Sequence, residues 1–230
     1  FVRTSVLEGS DDVRMRVVAE GVEMPDQEAF LNAKGCDTAQ GYLFSRPVPA
    51  AQVGTIHSFY FATADRKAAL MGARHVEMAK PWLRHIYLTH EDFPHGSLRH
   101  ELAHVVAGSF GDRWFHVAAR PVLGLPVLVN PGLIEGLAVA LDWPGGSRSM
   151  TPHQAMRAME LLGFAPDPSE VFSVKFLTLS SARGYTAAGS FLRYLLDTYG
   201  PAPVRAVYRS GGDFAAAFGK PRAALVDEWR

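Results

Sequence analysis

Two histidines in the stretch HELAH, residues 100–104, stand four positions apart, and a glutamate directly follows the first. Positions i and i+4 of an α-helix lie on one face, so His100 and His104 can direct two imidazoles at one point. A catalytic zinc site uses three protein ligands and leaves one position for water. Glu101 lies about 100° further round the helix, where its carboxylate can face that water. The segment therefore predicts two zinc ligands and a general base.

A third ligand is predicted at Glu135, within the apolar segment NPGLIEGLAVALD. An ionised carboxylate in such surroundings is costly to bury without a partner, and zinc would supply the partner. Asp142 follows two helical turns later, where it could accept a hydrogen bond from the free nitrogen of a ligating histidine. The alternatives are that Glu135 forms a salt bridge in the core and that Asp142 only ends its helix.

The segments HELAH and IEGLA, separated by about 30 residues, resemble the gluzincin metallopeptidases and, among them, the peptidase MA-like domains. The resemblance covers residues 60–230 and implies one zinc ion per chain and a peptide or protein substrate. It also implies that Tyr185, in GYTAAGSFLRYLLDTYG, stabilises the oxyanion, although a tyrosine that only packs near a helix start is the alternative. The chain departs from the zinc aminopeptidases at Ile134, where that subfamily has asparagine.

This resemblance implies hydrolysis of a peptide bond by a zinc-activated water. Glu101 would take the proton from the water and later pass it to the leaving amine. Tyr185 and the zinc ion would share the negative charge on the carbonyl oxygen. Two alternatives remain at this point: a zinc-bearing scaffold without turnover, and a helix whose histidines make ordinary hydrogen bonds.

A different resemblance begins near residue 15. The segments VVAEGVE, GCD and QGYLFSRP resemble the C-terminal end of the EAL domain, the barrel-shaped cyclic di-GMP phosphodiesterase. The resemblance implies metal-binding and catalytic positions at Glu20 and Glu23, with Gln40 beside them. The chain lacks the Glu-Ala-Leu motif and the catalytic lysine of the family, so we expect a non-functional fragment. The alternative is a degenerate cyclic di-GMP phosphodiesterase or binding module.

Composition limits the other functions. The chain has 230 residues with no net charge, 48% of them hydrophobic, which predicts a globular protein without nucleic acid as a partner. The single cysteine, Cys36, rules out an internal disulfide. No signal peptide or transmembrane segment is recognisable, so the expected location is cytoplasmic or membrane-associated, with a tether outside this chain left open.

We predict an α+β fold in two parts: an EAL fragment over residues 1–50, a junction over 51–58, and a metallopeptidase-like domain over 59–230. The fragment should be βαβ-like, and the domain should be mainly helical and zincin-like with a small N-terminal sheet. The predicted strands are Arg16–Ala19 and parts of RHVEMAK and LRHIYLTH, and GYLFSRP is predicted as a strand or a loop. The predicted helices are Pro25–Lys34, Leu98–Ala107, Pro131–Asp142, Pro152–Leu162, Thr186–Tyr199 and one at the C-terminus.

Overall fold

A computed structural model of the chain describes residues 2–6, 15–20, 38–40, 53–91, 95–123, 125–142 and 150–230. The chain forms two compact units, Phe1–Gly54 and Thr55–Arg230. The larger unit contains the HELAH segment and every helix described below. The functional assignment of the two parts stays a prediction.

The first unit contains a three-stranded sheet. Its strands are β1 (Val2–Val6), β2 (Met15–Glu20) and β3 (Thr38–Gln40). β2 is antiparallel to β1 and parallel to β3, and it confirms the strand predicted at Arg16–Ala19. The predicted helix Pro25–Lys34 and the strand or loop predicted at GYLFSRP lie outside the described residues.

The second unit begins with a small mixed sheet. Its strands are β4 (His57–Phe61), β5 (Met78–Lys80) and β6 (His85–Thr89). The order is β4-β6-β5, with β4 parallel and β5 antiparallel to β6. Ile86 and Leu88 of β6 are fully buried, so one face of the sheet packs into the core. β5 and β6 confirm the strands predicted in RHVEMAK and LRHIYLTH.

Several elements of this unit were not predicted, among them β4, a helix and a hairpin. Helix α1 (Ala64–Met71) is capped by the Thr63 hydroxyl, which accepts the Arg66 N–H, and it ends at Gly72 in the left-handed conformation. A hairpin is formed by β7 (Ala119–Val122) and β8 (Leu125–Val129). The sequence signal for the hairpin is weak because its strands do not alternate between apolar and polar residues.

The remaining elements are mostly helical. The helices are α2 (Leu98–Gly108), α3 (Pro131–Leu141), α4 (Pro152–Leu161), α5 (Pro168–Val171), α6 (Ser181–Tyr199), α7 (Pro201–Arg209), α8 (Phe214–Phe218) and α9 (Arg222–Trp229). Short 3-10 turns cover Pro81–Leu83 and Val174–Thr178. Asn130 caps α3, and Thr151 forms a reciprocal capping box with Gln154 in α4, which confirms both predicted starts. The start predicted for α6 was wrong, because the helix begins five residues earlier at Ser181.

Helices α3 and α6 pack against each other through small residues. A Cβ atom added to Gly136 would lie 2.7 Å from the Cβ of Ala188, and one added to Gly189 would lie 2.2 Å from Val139 Cγ1. These close approaches give the glycine of IEGLA a structural reason, since a larger residue would separate the helices. Leu133, fully buried, lies in the core that surrounds this contact.

The described part of the chain is thus mixed, with small sheets and mostly helix, as the predicted α+β class requires. The finer assignment to a zincin-like fold stays a prediction. Among the described residues, no helix is both long enough and apolar enough to cross a bilayer.

Candidate metal centre

Helix α2 carries the two histidines of HELAH, and the turn before it is held by a third histidine. The Nε2 atom of buried His95 lies 2.8 Å from the Thr89 carbonyl, and its Nδ1 atom accepts the Ser97 N–H at 3.1 Å. The Nδ1 atom also lies 3.2 Å from Glu91 Oε1, so both ring nitrogens have partners. His95 therefore connects the end of β6 to the start of α2 and is not available as a metal ligand.

His100 and His104 meet the carboxylate of Glu135 from α3. Glu135 Oε2 lies 3.4 Å from His100 Nε2 and 3.5 Å from His104 Nε2. Ligand atoms of the three residues all lie within 4.8 Å of one another. Bonds of 2.0 to 2.1 Å in a tetrahedral zinc site place neighbouring ligand atoms about 3.4 Å apart. The two distances to Glu135 are close to this value, while the ligand atoms as a set spread to 4.8 Å, so the three residues form a group that could hold a metal ion.

The surroundings of Glu135 favour its ionised form. Burial alone would raise the pKa of this carboxyl, but hydrogen bonds from His100 and His104, and the positive charge on both rings when protonated, lower the pKa to about 2. Glu135 therefore presents a carboxylate at neutral pH. A carboxylate with two neutral imidazoles is one of the donor sets that bind catalytic zinc.

Glu101 lies in a different environment although it directly follows His100. Glu101 is only 5% exposed. The pKa of its carboxyl is raised to about 7, mainly by burial; His100 lowers this pKa and Glu135 raises it by smaller amounts. Glu101 also lines the cavity that contains the three ligand groups. A carboxyl with a pKa near 7 can both accept and release a proton at neutral pH.

Tyr185 lies beside this cluster, inside α6 and not before a helix start. Its ring stacks near that of His100 at a centroid distance of 6.4 Å, with 19° between the planes. Burial, the charge of Glu135 and a hydrogen bond to Glu135 raise the pKa of the Tyr185 hydroxyl. The hydroxyl therefore stays protonated at neutral pH and donates to Glu135. Its predicted contact with a reacting carbonyl stays a prediction.

A cavity of about 720 Å³ contains these groups, which is in the size range of small-molecule and peptide-binding clefts. Its apolar walls are formed by Met78, Trp82, Val117, Ile134, Val139 and Met150. Asp142 is the C-terminal capping residue of α3 and also lines the cavity. Its role as a hydrogen-bond partner of a ligating histidine stays a prediction.

A buried ion pair behind the cavity was not predicted. Lys67 Nζ lies 2.7 Å from Glu77 Oε2, and the lysine side chain is fully buried. The same carboxylate oxygen accepts the Thr89 N–H at 2.9 Å. Glu77 lines the cavity and raises the pKa of Glu101, while Lys67 lowers it. No local pattern marks Lys67 as buried, because a lysine in a short helix is usually solvated.

The EAL-like positions lie in the first unit. Glu20 ends β2 and Gln40 ends β3, and the two residues are register partners across the parallel pair. Glu23 lies outside the described residues. The backbone thus brings two of the three positions together at the same end of adjacent strands.

The chain is similar over a short segment to curated cyclic di-GMP proteins. It is 46% identical over 50 residues to the cyclic di-GMP phosphodiesterase NbdA of Pseudomonas aeruginosa, which is 22% of this chain and 6% of that protein. It is 46% identical over 41 residues to the bifunctional diguanylate cyclase/cyclic di-GMP phosphodiesterase MucR of the same organism, which is 18% of this chain and 6% of that protein. It is 45% identical over 38 residues to the cyclic di-GMP phosphodiesterase PdeR of Escherichia coli, which is 16% of this chain and 6% of that protein.

These matches support the EAL-type fragment and leave the larger unit unassigned. The chain spans only about 6% of the length of each of these relatives. No protein-family model matches the chain, and no solved structure matches it. None of the three relatives is a peptidase, so the resemblance of residues 60–230 to the gluzincins stays a prediction.

Proposed function

We propose that residues 59–230 form a zinc-dependent hydrolase of peptide bonds, with His100, His104 and Glu135 as the metal ligands and Glu101 as the general base. The observation that carries the proposal is the convergence of two imidazoles and one carboxylate from α2 and α3 within 4.8 Å. The two distances from Glu135 to the imidazole nitrogens, 3.4 and 3.5 Å, are close to the separation of neighbouring ligand atoms in a tetrahedral zinc site, which supports the proposal.

The chemistry follows from the environment of each side chain. A zinc ion bound here would supply a Lewis acid that polarises a carbonyl and acidifies water. Glu101, with a pKa raised to about 7 by burial, would accept a proton from water in the cavity and release it to the leaving amine. The Tyr185 hydroxyl has one proton to donate, so it would donate to Glu135 before substrate binds and would have to turn from Glu135 to donate to a carbonyl oxygen.

Metal analysis of the purified protein is the first test. We expect one zinc per chain, lost in His104→Ala and kept in Glu101→Gln. His90→Ala is a matched control, because His90 is an exposed histidine outside the cluster, and it should keep the zinc. A parent protein without bound zinc, after purification with zinc present and chelators absent, would overturn the proposal.

Turnover is tested separately from metal binding. We expect the parent protein to cleave casein or a mixture of fluorescent peptides, and Glu101→Gln to bind zinc without cleaving them. A drop of about a hundredfold or more is expected for loss of a general base. Zinc binding without cleavage by the parent protein would instead support a zinc-bearing scaffold.

A second function is proposed for the first unit: binding of cyclic di-GMP by an EAL-type fragment. Short matches to three cyclic di-GMP proteins support it. The metallohydrolase proposal has no such support from relatives. Calorimetry with cyclic di-GMP tests it, with Glu20→Ala as the comparison variant. Absence of binding at high micromolar ligand would remove this function.

A further inference from the structure

The hairpin β7–β8 exposes several apolar side chains. Leu123 at its turn is 98% exposed, and the cross-strand partners Val122 and Leu125 are 42% and 57% exposed. Leu128, opposite Arg120, is also exposed. Contiguous apolar surface of this kind usually marks a site of interaction with another protein or with a membrane. We call this element the apolar hairpin.

The loop before the hairpin presents two aromatic residues in a fixed shape. The carboxylate of Asp112 accepts the backbone N–H groups of Trp114 and Phe115 through Oδ1 and that of Val117 through Oδ2. Trp114 and Phe115 are nevertheless 54% and 52% exposed. The loop is thus built around Asp112, and its aromatic side chains point away from the core.

A second pair of exposed apolar residues lies next to this loop. Trp82 and Leu83 belong to the 3-10 turn Pro81–Leu83 and are about half exposed. Pro81 and His116 both lie against Gly108, the last residue of α2. The turn and the aromatic loop are therefore neighbours. Trp82 and Val117 also line the cavity of the candidate metal centre.

The charge of this surface is positive. Residues 113–134 contain two arginines and no aspartate or glutamate. Arg113 lies over the Trp114 ring at 4.8 Å, and Arg120 is exposed on the hairpin. Two acidic residues flank this segment in the sequence. Asp112 directs its carboxylate at three backbone N–H groups, and Glu135 directs its carboxylate at His100 and His104. The apolar surface thus carries a basic rim.

We infer that the apolar hairpin, the aromatic loop and the Trp82–Leu83 turn together bind the surface of an anionic lipid bilayer. Tryptophan and arginine are favoured at the headgroup level of membranes, and leucine is favoured just below it. A protruding leucine such as Leu123 needs no shaped pocket in a fluid bilayer. Negative headgroups complement the arginines. Binding in this way places the rim of the cavity at the membrane surface.

Sedimentation with lipid vesicles tests the inference on the full chain. We expect binding to vesicles of phosphatidylcholine with phosphatidylglycerol, weaker binding to phosphatidylcholine alone, and weaker binding at high salt. Leu123→Asp should reduce binding about tenfold or more, since it removes a leucine that would be buried in the bilayer and adds a negative charge. Arg113→Glu combined with Arg120→Glu should reduce binding to the anionic vesicles in particular.

The matched control is Leu161→Asp, because Leu161 is 71% exposed at the end of α4 and lies outside the surface. It should bind vesicles like the parent, and unfolding curves should show that all variants fold. His104→Ala should also bind vesicles normally, so the inference stands or falls independently of the metal centre. Equal binding by Leu123→Asp and the parent, or no vesicle binding by the parent, overturns it. If the parent forms a dimer in solution that Leu123→Asp dissociates, and binds no lipid, the inference is also wrong. The surface would then bind a second copy of this chain.

Discussion

The buried ion pair between Lys67 and Glu77 gives a sharp test of how the cavity wall is held. Lys67 belongs to α1, and Glu77 directly precedes β5 at the edge of the sheet. The pair therefore ties a helix to the strand that forms one wall of the cavity. Lys67→Met removes the charge and keeps most of the volume of the side chain, so it isolates the electrostatic contribution.

The expected loss follows from what remains after the substitution. Glu77 is only 18% exposed and would keep the Thr89 N–H as its hydrogen-bond partner. Removing one member of a buried pair leaves a poorly compensated charge, which costs about 3 to 5 kcal/mol. The double variant Lys67→Met/Glu77→Gln keeps an acceptor for Thr89 and has no charge, so its expected loss is about 1 kcal/mol.

Urea unfolding followed by far-ultraviolet circular dichroism measures these differences. Lys175→Met is the matched control, since Lys175 is 66% exposed and lies 3.5 Å from Glu170. It should lose no more than about 1 kcal/mol. The single variant Glu77→Gln completes the comparison. If Lys67→Met is no more destabilising than Lys175→Met, or if the double variant loses as much stability as Lys67→Met and Glu77→Gln lose when added together, the assignment of a coupled buried pair is wrong.

Three further predictions concern elements near the site. Gly136→Ala should lower the free energy of unfolding by about 1 to 3 kcal/mol, because the new Cβ would lie 2.7 Å from that of Ala188; greater stability in urea would contradict the close contact of α3 and α6. Thr151→Ala removes the capping box of α4 and should lower the free energy of unfolding by about 1 kcal/mol. Thr151→Ser keeps a hydroxyl at the cap and should lose much less. In protein freed of metal by a chelator, the pKa of Glu101 is raised from 4.5 to about 7, so its contribution to stability is present at low pH and lost as pH rises through about 7. The free energy of unfolding of the parent should therefore fall by about 3 kcal/mol more than that of Glu101→Gln between about pH 4 and pH 8. If the free energies of unfolding of the two proteins change in parallel with pH, the raised pKa is wrong.

Local signals predicted the helices that carry the ligands. The i, i+4 spacing of His100 and His104 and the cap at Asn130 depend on residues within one or two helical turns. α2 and α3 therefore begin where they were predicted. The start of α6 was placed too late because its first turn, with Ser181, Arg183 and Gly184, has little apolar periodicity. The tertiary contact of Gly184 with Phe176, 3.1 Å from an added Cβ, explains a glycine inside the helix.

Long-range features were not accessible from the sequence. The pairing of Lys67 with Glu77 joins two elements that no local pattern connects. The hairpin β7–β8 has no strand signal in the sequence, because its residues do not alternate between apolar and polar. The hydrogen bond from Tyr185 to Glu135 depends on the packing of α6 against α3. These interactions are decided by tertiary packing and not by local propensity.

The two carboxyls of the candidate centre show how one cavity can separate a ligand from a base. Glu135 faces both imidazoles, and their hydrogen bonds outweigh burial and lower its pKa to about 2. Glu101 is also buried but lies about 100° round α2 from His100, and burial dominates there, raising its pKa to about 7. A pair of carboxyls whose environments move their pKa values apart is suited to two different roles. The direction of each shift therefore supports Glu135 as the permanent anion that holds a metal and Glu101 as the group that exchanges a proton.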